Sequence, residues 1–498
     1  MMFGLVISLL LLQAAPDSLP AVQKSAARTD RVRAVEGGSA ALFLYGPDAT
    51  FTQAGVSWNG RSESAPLYKE EGKGLQEGQV NIRTLVRLDT TQAVRGTVRY
   101  TNGVKREVNW NSSSDFFTVY PYVVADTVGG NVNKEESAFS GGYAARYGTF
   151  HWGAEAAYRA LHEYRMVDPR PRNIVSDLQV KASAGWRVLS TYVVEATVGY
   201  RRYSQTQSMA FVSERGKNSS VFHFTGLGSD FARFTGATDS YMNTRYAGNG
   251  LLLGLAWSPL GAAGWEASVD YRHLDITHYL PNLNQVPYTE LYTRTLQAQG
   301  GYLSRSAAWS WKAGAHLQYQ WRQGLESILD SGASGYLKEL GRLLMFSSET
   351  LTAGVHGAVD YRQQWSLQGR AEYRSFSALY AYPARSLAYG GLDVQLEAIY
   401  RWHRGHWFVS PALQAGMYQH LIGSMHIPST YTEPFFMTYY QDFFARAKAA
   451  CWRGGLSVHA ERQLTRLLSL YAQASFQALS PQGYGPGFLH TLTVGINF

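Results

Sequence analysis

Apolar and polar residues alternate one for one from residue 148 onward. Phe150, Trp152, Ala154, Ala156 and Tyr158 fall on one side of an extended chain, and Thr149, His151, Gly153, Glu155 and Arg159 on the other. A period of two predicts a strand with one apolar and one polar face. The pattern returns in Leu178, Val180, Ala182, Ala184 and Trp186 against Gln179, Lys181, Ser183, Gly185 and Arg187. It returns again in Val194, Ala196, Val198 and Tyr200 against Glu195, Thr197, Gly199 and Arg201, and further copies occupy 313–321, 355–361, 367–373, 392–400 and 468–478. No helical periodicity of comparable length competes.

Strand length decides what the apolar faces meet. A soluble sandwich also alternates, but its strands average about 5 to 6 residues, whereas membrane strands need roughly 9 to 11. Most apolar stripes here end in a ring, as at Tyr158, Trp186, Tyr200, Tyr271, Tyr361, Tyr373 and Tyr400, where aromatic residues suit lipid headgroups. Connections near 146–148, 189–191, 259–264, 305–307, 363–365 and 403–406 are short, and those at 204–246, 324–346 and 421–436 are long. Short periplasmic turns facing long external loops are the outer-membrane arrangement. The expected fold is all-β, a transmembrane antiparallel up-and-down barrel. Counting back from Phe498 gives about fifteen strands, and since bacterial single-chain barrels have even numbers, about 16 are expected within a range of roughly 14 to 18. The upper limit requires 79–88 and 93–101 to join the wall.

The barrel is therefore assigned to 79–498, with 19–78 as a periplasmic or lumen-tucked lead segment and 1–18 as a signal peptide. The apolar run from Phe3 to Leu12, followed by Ala14, Ala15 and Pro16, has the form of such a peptide, although no Lys or Arg precedes it. Leu492, Val494, Ile496 and Phe498 alternate to an aromatic end, which is expected to serve as a sorting signal for the barrel-assembly machinery.

Composition narrows the class. The chain has 498 residues, 16% of them charged, with 33 Tyr and 49 Gly, which suits strands and turns. Net charge is +8, but Lys and Arg are spread along the whole chain instead of gathered into a stripe, so nucleic acid is not an expected partner. The single cysteine, Cys451, excludes an internal disulfide.

Candidate chemistry lies in three places. The inward faces carry Glu155, Lys181, Arg187, Glu195, Arg201, Arg370, Glu372, Arg374, Asp393 and Glu397, which would line a water-filled path or form ion pairs that plug and stiffen the barrel. A loop over 162–174 carries Arg165, Asp168, Arg170 and Arg172 between prolines, an arrangement able to hold a carboxylate or phosphate, including that of lipopolysaccharide. Met417, His420, Met425 and His426, with Met437 further on, offer thioether and imidazole donors for a soft metal or haem iron, against the plainer reading of a self-packed surface cap. No resident cofactor is required. An outer-membrane hydrolase would need a closer constellation than His273, Asp275, His278 and Ser304 provide.

Tyr120-Pro121-Tyr122 with Ala125-Asp126, Ser140-Gly141-Gly142-Tyr143, Gly153-Ala154-Glu155, Tyr158-Arg159-Ala160 and Val167-Asp168-Pro169-Arg170-Pro171-Arg172-Asn173 together resemble an uncharacterised outer-membrane β-barrel family of Bacteroidota. Ser213-Glu214-Arg215-Gly216 and Thr225-Gly226-Leu227-Gly228 are similar to loops of that family. The resemblance implies a barrel in the bacterial outer membrane that accompanies a receptor-type uptake partner. The expected function is non-enzymatic solute uptake or surface ligand binding, accessory to nutrient or metal/haem acquisition. A lipase- or protease-type hydrolase and a purely structural barrel are the alternatives.

Overall fold

The computed structural model describes residues 39–45, 50–212, 221–235, 242–306, 308–330 and 337–498. The expected signal peptide, most of the lead segment before residue 51 and the 213–216 part of the resemblance lie outside the described residues.

Eighteen long strands close into one antiparallel barrel, from Phe51–Glu63 to Gly487–Asn497. Each pairs with the next along the chain, and the first pairs with the last through Gln53↔Asn497 to Glu63↔Gly487. Closure leaves no unpaired edge, the condition a sheet must meet in hydrocarbon. The count lies at the upper end of the expected range.

Alternation explains the wall. Along Tyr192–Ala210 the odd positions Val193, Glu195, Thr197, Tyr203, Gln205, Gln207 and Met209 are buried inside. The even positions face out, with Val198 51% and Tyr200 45% exposed. Leu251, Leu253 and Leu255 continue this outer surface on Thr244–Pro259. Two aromatic belts border it. Toward the long-loop end stand Tyr158, Tyr200, Tyr271 and Tyr373; at the short-turn end Phe150 meets Trp186 at 5.3 Å, Trp309 meets Tyr361 at 4.6 Å and Trp365 meets Tyr400 at 4.5 Å. An apolar band between two ring belts is the outer dress of a membrane barrel. Among the described residues no helix is long and apolar enough to cross a membrane.

Three sequence expectations need correction. The wall begins at Phe51, not residue 79, because Phe51–Glu63 and Gly74–Arg87 are both wall strands. Only Ala54, Val56 and Trp58 carry the outward stripe of the first, too few to stand out beside its glycines and Asn59. Residues 39–45 lie against the inner wall at the short-turn end: the Ala40 amide donates to Ser183 Oγ at 3.0 Å, and Tyr45 Oη lies 3.2 Å from His151 Nδ1. The expected loop at 324–346 is mostly the hairpin formed by Trp309–Asp330 and Lys338–Tyr361, which extends past its neighbours.

A helix, Pro434–Lys448, replaces the first part of a strand expected over 441–460, which starts instead at Cys451. Pro434 occupies the first turn, where its missing N–H costs nothing. Phe436, Tyr439, Phe443 and Ala447 then recur at intervals of three and four, and all four are buried.

Candidate functional site

The long-loop end of the barrel is closed by its own loops. Residues 109–129 dip inward through a short helix, Phe116–Val119, and return by a strand, Val124–Asp126. That strand pairs with Val221–Gly226, which pairs with Ser229–Asp230, making a small sheet inside the mouth. Phe116, Val119 and Val123 pack against Leu161, Val175, Tyr203, Tyr246, Leu274 and Ile276 of five successive wall strands. On the opposite side Leu227 and the helix residues Tyr439, Phe443 and Ala447 pack against Phe346, Ala378, Tyr380 and Leu387. The apolar contact therefore reaches across the lumen.

Polar pairs fasten this stopper. Asp115 has a positive φ of 51°, a left-handed conformation that Asp tolerates better than most residues. Both its carboxylate oxygens meet the guanidinium of Arg159, Nη1 to Oδ1 at 3.0 Å. Arg159 also lies 3.5 Å from Asp177, itself 2.7 Å from Arg201. Asp126 takes Arg165 at 2.7 Å with both side chains fully buried, and accepts from Ser112 Oγ at 2.6 Å. Ser113 Oγ donates to Gln207 at 2.9 Å, and the Tyr246 hydroxyl donates to the Tyr122 carbonyl at 3.0 Å. Arg322 Nη2 donates to the Phe117 carbonyl at 2.6 Å.

Residues 64–73 and the helix form an outer layer. Lys105 of the wall lies 3.1 Å from Glu71 and 3.1 Å from Glu163. Arg446 Nε donates to the Ala65 carbonyl at 2.8 Å, and the Tyr439 hydroxyl donates to Glu70 at 2.6 Å. Burial pushes the Glu70 carboxyl up to about 7, against the opposing effect of the Tyr439 hydrogen bond. The phenols of Tyr120 and Tyr439 are pushed well up for the same reason.

Below the stopper the lumen is polar and mostly ion-paired. Glu155 meets Arg95 and lies 2.9 Å from Lys181. His151 and Glu195, both fully buried, are 3.2 Å apart. Arg370 and Arg374 flank Glu372, and Arg374 and Arg453 flank Asp393. Glu397 accepts from Gln414 at 2.9 Å. Arg187 lies at the short-turn end within electrostatic reach of Tyr45. Arg370 and Arg374 remain 44% exposed, so this half of the interior is accessible to water.

Two expected clusters do not form. Arg165 is not a surface ligand residue: it is 2% exposed, and its guanidinium serves Asp126 and the Pro169 carbonyl. Arg170 pairs with Asp168 at 2.7 Å, and exposed Arg172 points outward and donates to His162. The loop is short, because strands Phe150–Tyr164 and Arg170–Val188 claim both flanks. Met417, His420, Met425 and His426 sit on one strand, Trp407–His426, not on a loop, and Met437 belongs to the helix Pro434–Lys448. Met417 and His420 are an odd number of residues apart and face opposite sides. Beyond a bulge at Gly390/Gly391, Met425 packs into the mouth while its neighbour His426 is exposed. Among the described residues no group of three or more His, Cys, Asp or Glu side chains forms a metal site.

Nor do His273 and Ser304 approach each other. His273 is 2.7 Å from Asp275, but its register partner is Arg294, whereas that of Ser304 is Ala263 at the far end of the strand pair. His278 faces inward and stacks on Tyr246 with ring centres 3.8 Å apart. Sequence reasoning missed Asp115, Arg159, Asp126 and Glu70, whose partners are distant in the chain.

A closed eighteen-stranded wall with a lipid-facing band and a mouth filled by its own loops defines an outer-membrane β-barrel protein of the stoppered kind. Over residues 39–498 the chain matches the family of unknown function DUF6850, and it belongs to that family. No curated protein matches it. Among solved structures it is similar to the ferric citrate transporter FecA, at 9% identity over 91% of this chain and 79% of that one, with a TM-score of 0.38. The outer membrane transporter YddB of Escherichia coli gives 7% identity over 89% and 81%, with a TM-score of 0.41. The ferric preacinetobactin receptor BauA of Acinetobacter baumannii gives 7% over 91% and 80%, with a TM-score of 0.38. Similarity at this level says nothing of ligand or mechanism.

Proposed function

We propose that this protein is a non-enzymatic, gated outer-membrane barrel that binds a ligand at its outer mouth and admits solute when the stopper moves. It would act as an accessory to nutrient or metal/haem acquisition beside a receptor-type uptake partner. The observation that carries the reading is how the stopper is attached. Its ends belong to wall strands, but between them it is held by discrete ion pairs, Asp115 with Arg159 at its tip and Asp126 with Arg165 on its return, and such pairs can be exchanged for others. A permanently structural barrel has no need of a water-accessible charged lumen beneath a polar-fastened mouth. The paired lumen charges, among them Glu155, Lys181, Glu372 and Asp393, would stiffen the wall and select the solute.

The finer assignments belong to the same proposal. Arg172, and Arg170 after exchange of Asp168, would meet lipopolysaccharide phosphate at the rim. The closing strand ending in Phe498 would be read by the barrel-assembly machinery, and the origin in Bacteroidota follows the family resemblance. Liposome swelling tests the gated reading. Wild-type protein should admit small sugars slowly or not at all, and a variant lacking residues 112–125 should admit them quickly. Rapid swelling by both would remove the gate.

A further inference from the structure

Above the ring belt at the long-loop end, four neighbouring strands turn polar hydrogen-bond donors outward. They are Arg202 on Tyr192–Ala210, Asn249 on Thr244–Pro259, His273 on Ala263–Leu280 and Arg294 on Val286–Arg305. Register fixes their places: Arg202 pairs with Asn249, and His273 with Arg294. The belt residues Tyr200 and Tyr271 stand two positions below Arg202 and His273 on the same outer faces. Continued around the wall, the register row of Arg294 reads Trp321, Glu349, Ser377, Ala388 and Ser424. No cation stands at any of these positions, so the arginines are confined to one sector.

The donors of this sector are open to an anion. Asn249 Oδ1 accepts from the Tyr200 hydroxyl at 2.7 Å and from Arg202 Nη1 at 2.6 Å, which ties Arg202 to the wall and leaves the rest of its guanidinium exposed. Among the described residues no carboxylate forms an ion pair with Arg202 or Arg294. The acids nearby are engaged: Asp275 lies 2.7 Å from His273, and Glu290 meets Arg342 and the Tyr292 hydroxyl. A guanidinium forks onto phosphate through two N–H groups, and the ring belt sets these donors at the depth of lipid headgroups. The strands of Arg202 and Arg294 are three spacings apart, about 14 Å, which suits a broad phosphorylated headgroup better than a single small ion.

We propose that this sector is a binding site for lipid A, the phosphorylated glycolipid that anchors lipopolysaccharide in the outer leaflet. Arg202 and Asn249 hold phosphate at one end, His273 and Arg294 at the other, and the exposed Val198, Leu253 and Leu255 below them lie along its acyl chains. Arg172 is a separate place: its register partner Ser208 lies six residues beyond Arg202, about 20 Å further along the strand. The site rests on the outer-membrane placement of the barrel, deepens the reading that it meets lipopolysaccharide, and is independent of the gate.

Native mass spectrometry of the full-length barrel, freed from detergent after incubation with diphosphoryl lipid A, tests the site. Wild type should retain one lipid A at concentrations at least tenfold below those needed by Arg202→Gln/Arg294→Gln. Lipid A stripped of its phosphates should lose this advantage, and excess inorganic pyrophosphate should not displace the phosphorylated lipid. The two lipids are compared on wild type, so the comparison decides the matter even if the double variant fails to assemble. Equal retention of both lipids by wild type, equal retention by the double variant, or displacement by pyrophosphate would overturn the site. An equal loss in Arg172→Gln alone would move the lipid to the rim and overturn it too. None of these results bears on the gate, whereas free swelling of wild-type liposomes would remove the gated reading and leave this surface as it is.

Discussion

Asp115 at the tip of the stopper and Arg159 on the wall form a two-pronged ion pair, and the Tyr203 hydroxyl donates to the same carboxylate at 3.2 Å. Removing one member of a largely buried pair leaves the other charge uncompensated, at a cost of about 3 kcal/mol. Arg159→Ala should therefore release the stopper while the barrel stays folded. Limited proteolysis of intact, heat-modifiable barrel is the check: cleavage within 109–129 is expected in the variant and protection in wild type.

Arg165 and Arg172 are seven residues apart but should behave differently. Arg165→Ala strands fully buried Asp126 and should cost about 3–5 kcal/mol in docking of the stopper strand. Exposed Arg172→Ala should change stability by less than about 0.5 kcal/mol. Hydrogen exchange over 124–130 separates them; similar exchange in both variants would contradict the inward role of Arg165.

The histidines at the end of Trp407–His426 should not act together. Copper, zinc or haem titrated into wild type and into His420→Ala/His426→Ala should give the same affinity, because the strand places these side chains in different surroundings. A tenfold loss in the variant would mean that the donors converge after all.

The outer layer should respond to pH through Glu70. Its carboxyl titrates near 7 when docked, against an ordinary value of 4.5, so the docked form favours the neutral acid. Docking is then strongest below about pH 4.5 and weakens as pH rises, with the loss complete above about 7 and amounting to at most about 3 kcal/mol. Hydrogen exchange of the helix Pro434–Lys448 should be faster at pH 8 than at pH 5. Glu70→Gln should flatten that difference.

The wall was legible because alternation is local: Val194 to Tyr200 show their outer face within seven residues, and the ring belts mark where each stripe ends. The first strand was not, since its neighbours supply what its own stripe lacks. A side chain at Gly55 would collide with Tyr471, and one at Gly60 with His490, so both glycines are small for reasons visible only across the seam. The helix left a signal in the spacing of Phe436, Tyr439, Phe443 and Ala447, but it lay inside a stretch where a strand was needed to keep the count. The stopper left none. Asp115 and Arg159 are 44 positions apart, and Tyr439 and Glu70 are 369 apart, distances over which residue type alone selects no partner.

The central claim is that the mouth is shut by a stopper held through Asp115 and Asp126, and single-channel recording in planar bilayers tests it most directly. Wild-type barrel should show no steady conductance, and Asp115→Asn/Asp126→Asn should show discrete steps after the same reconstitution. Steady open-channel current through wild type, or silence from the double variant when proteolysis shows its 109–129 segment released, would contradict the account.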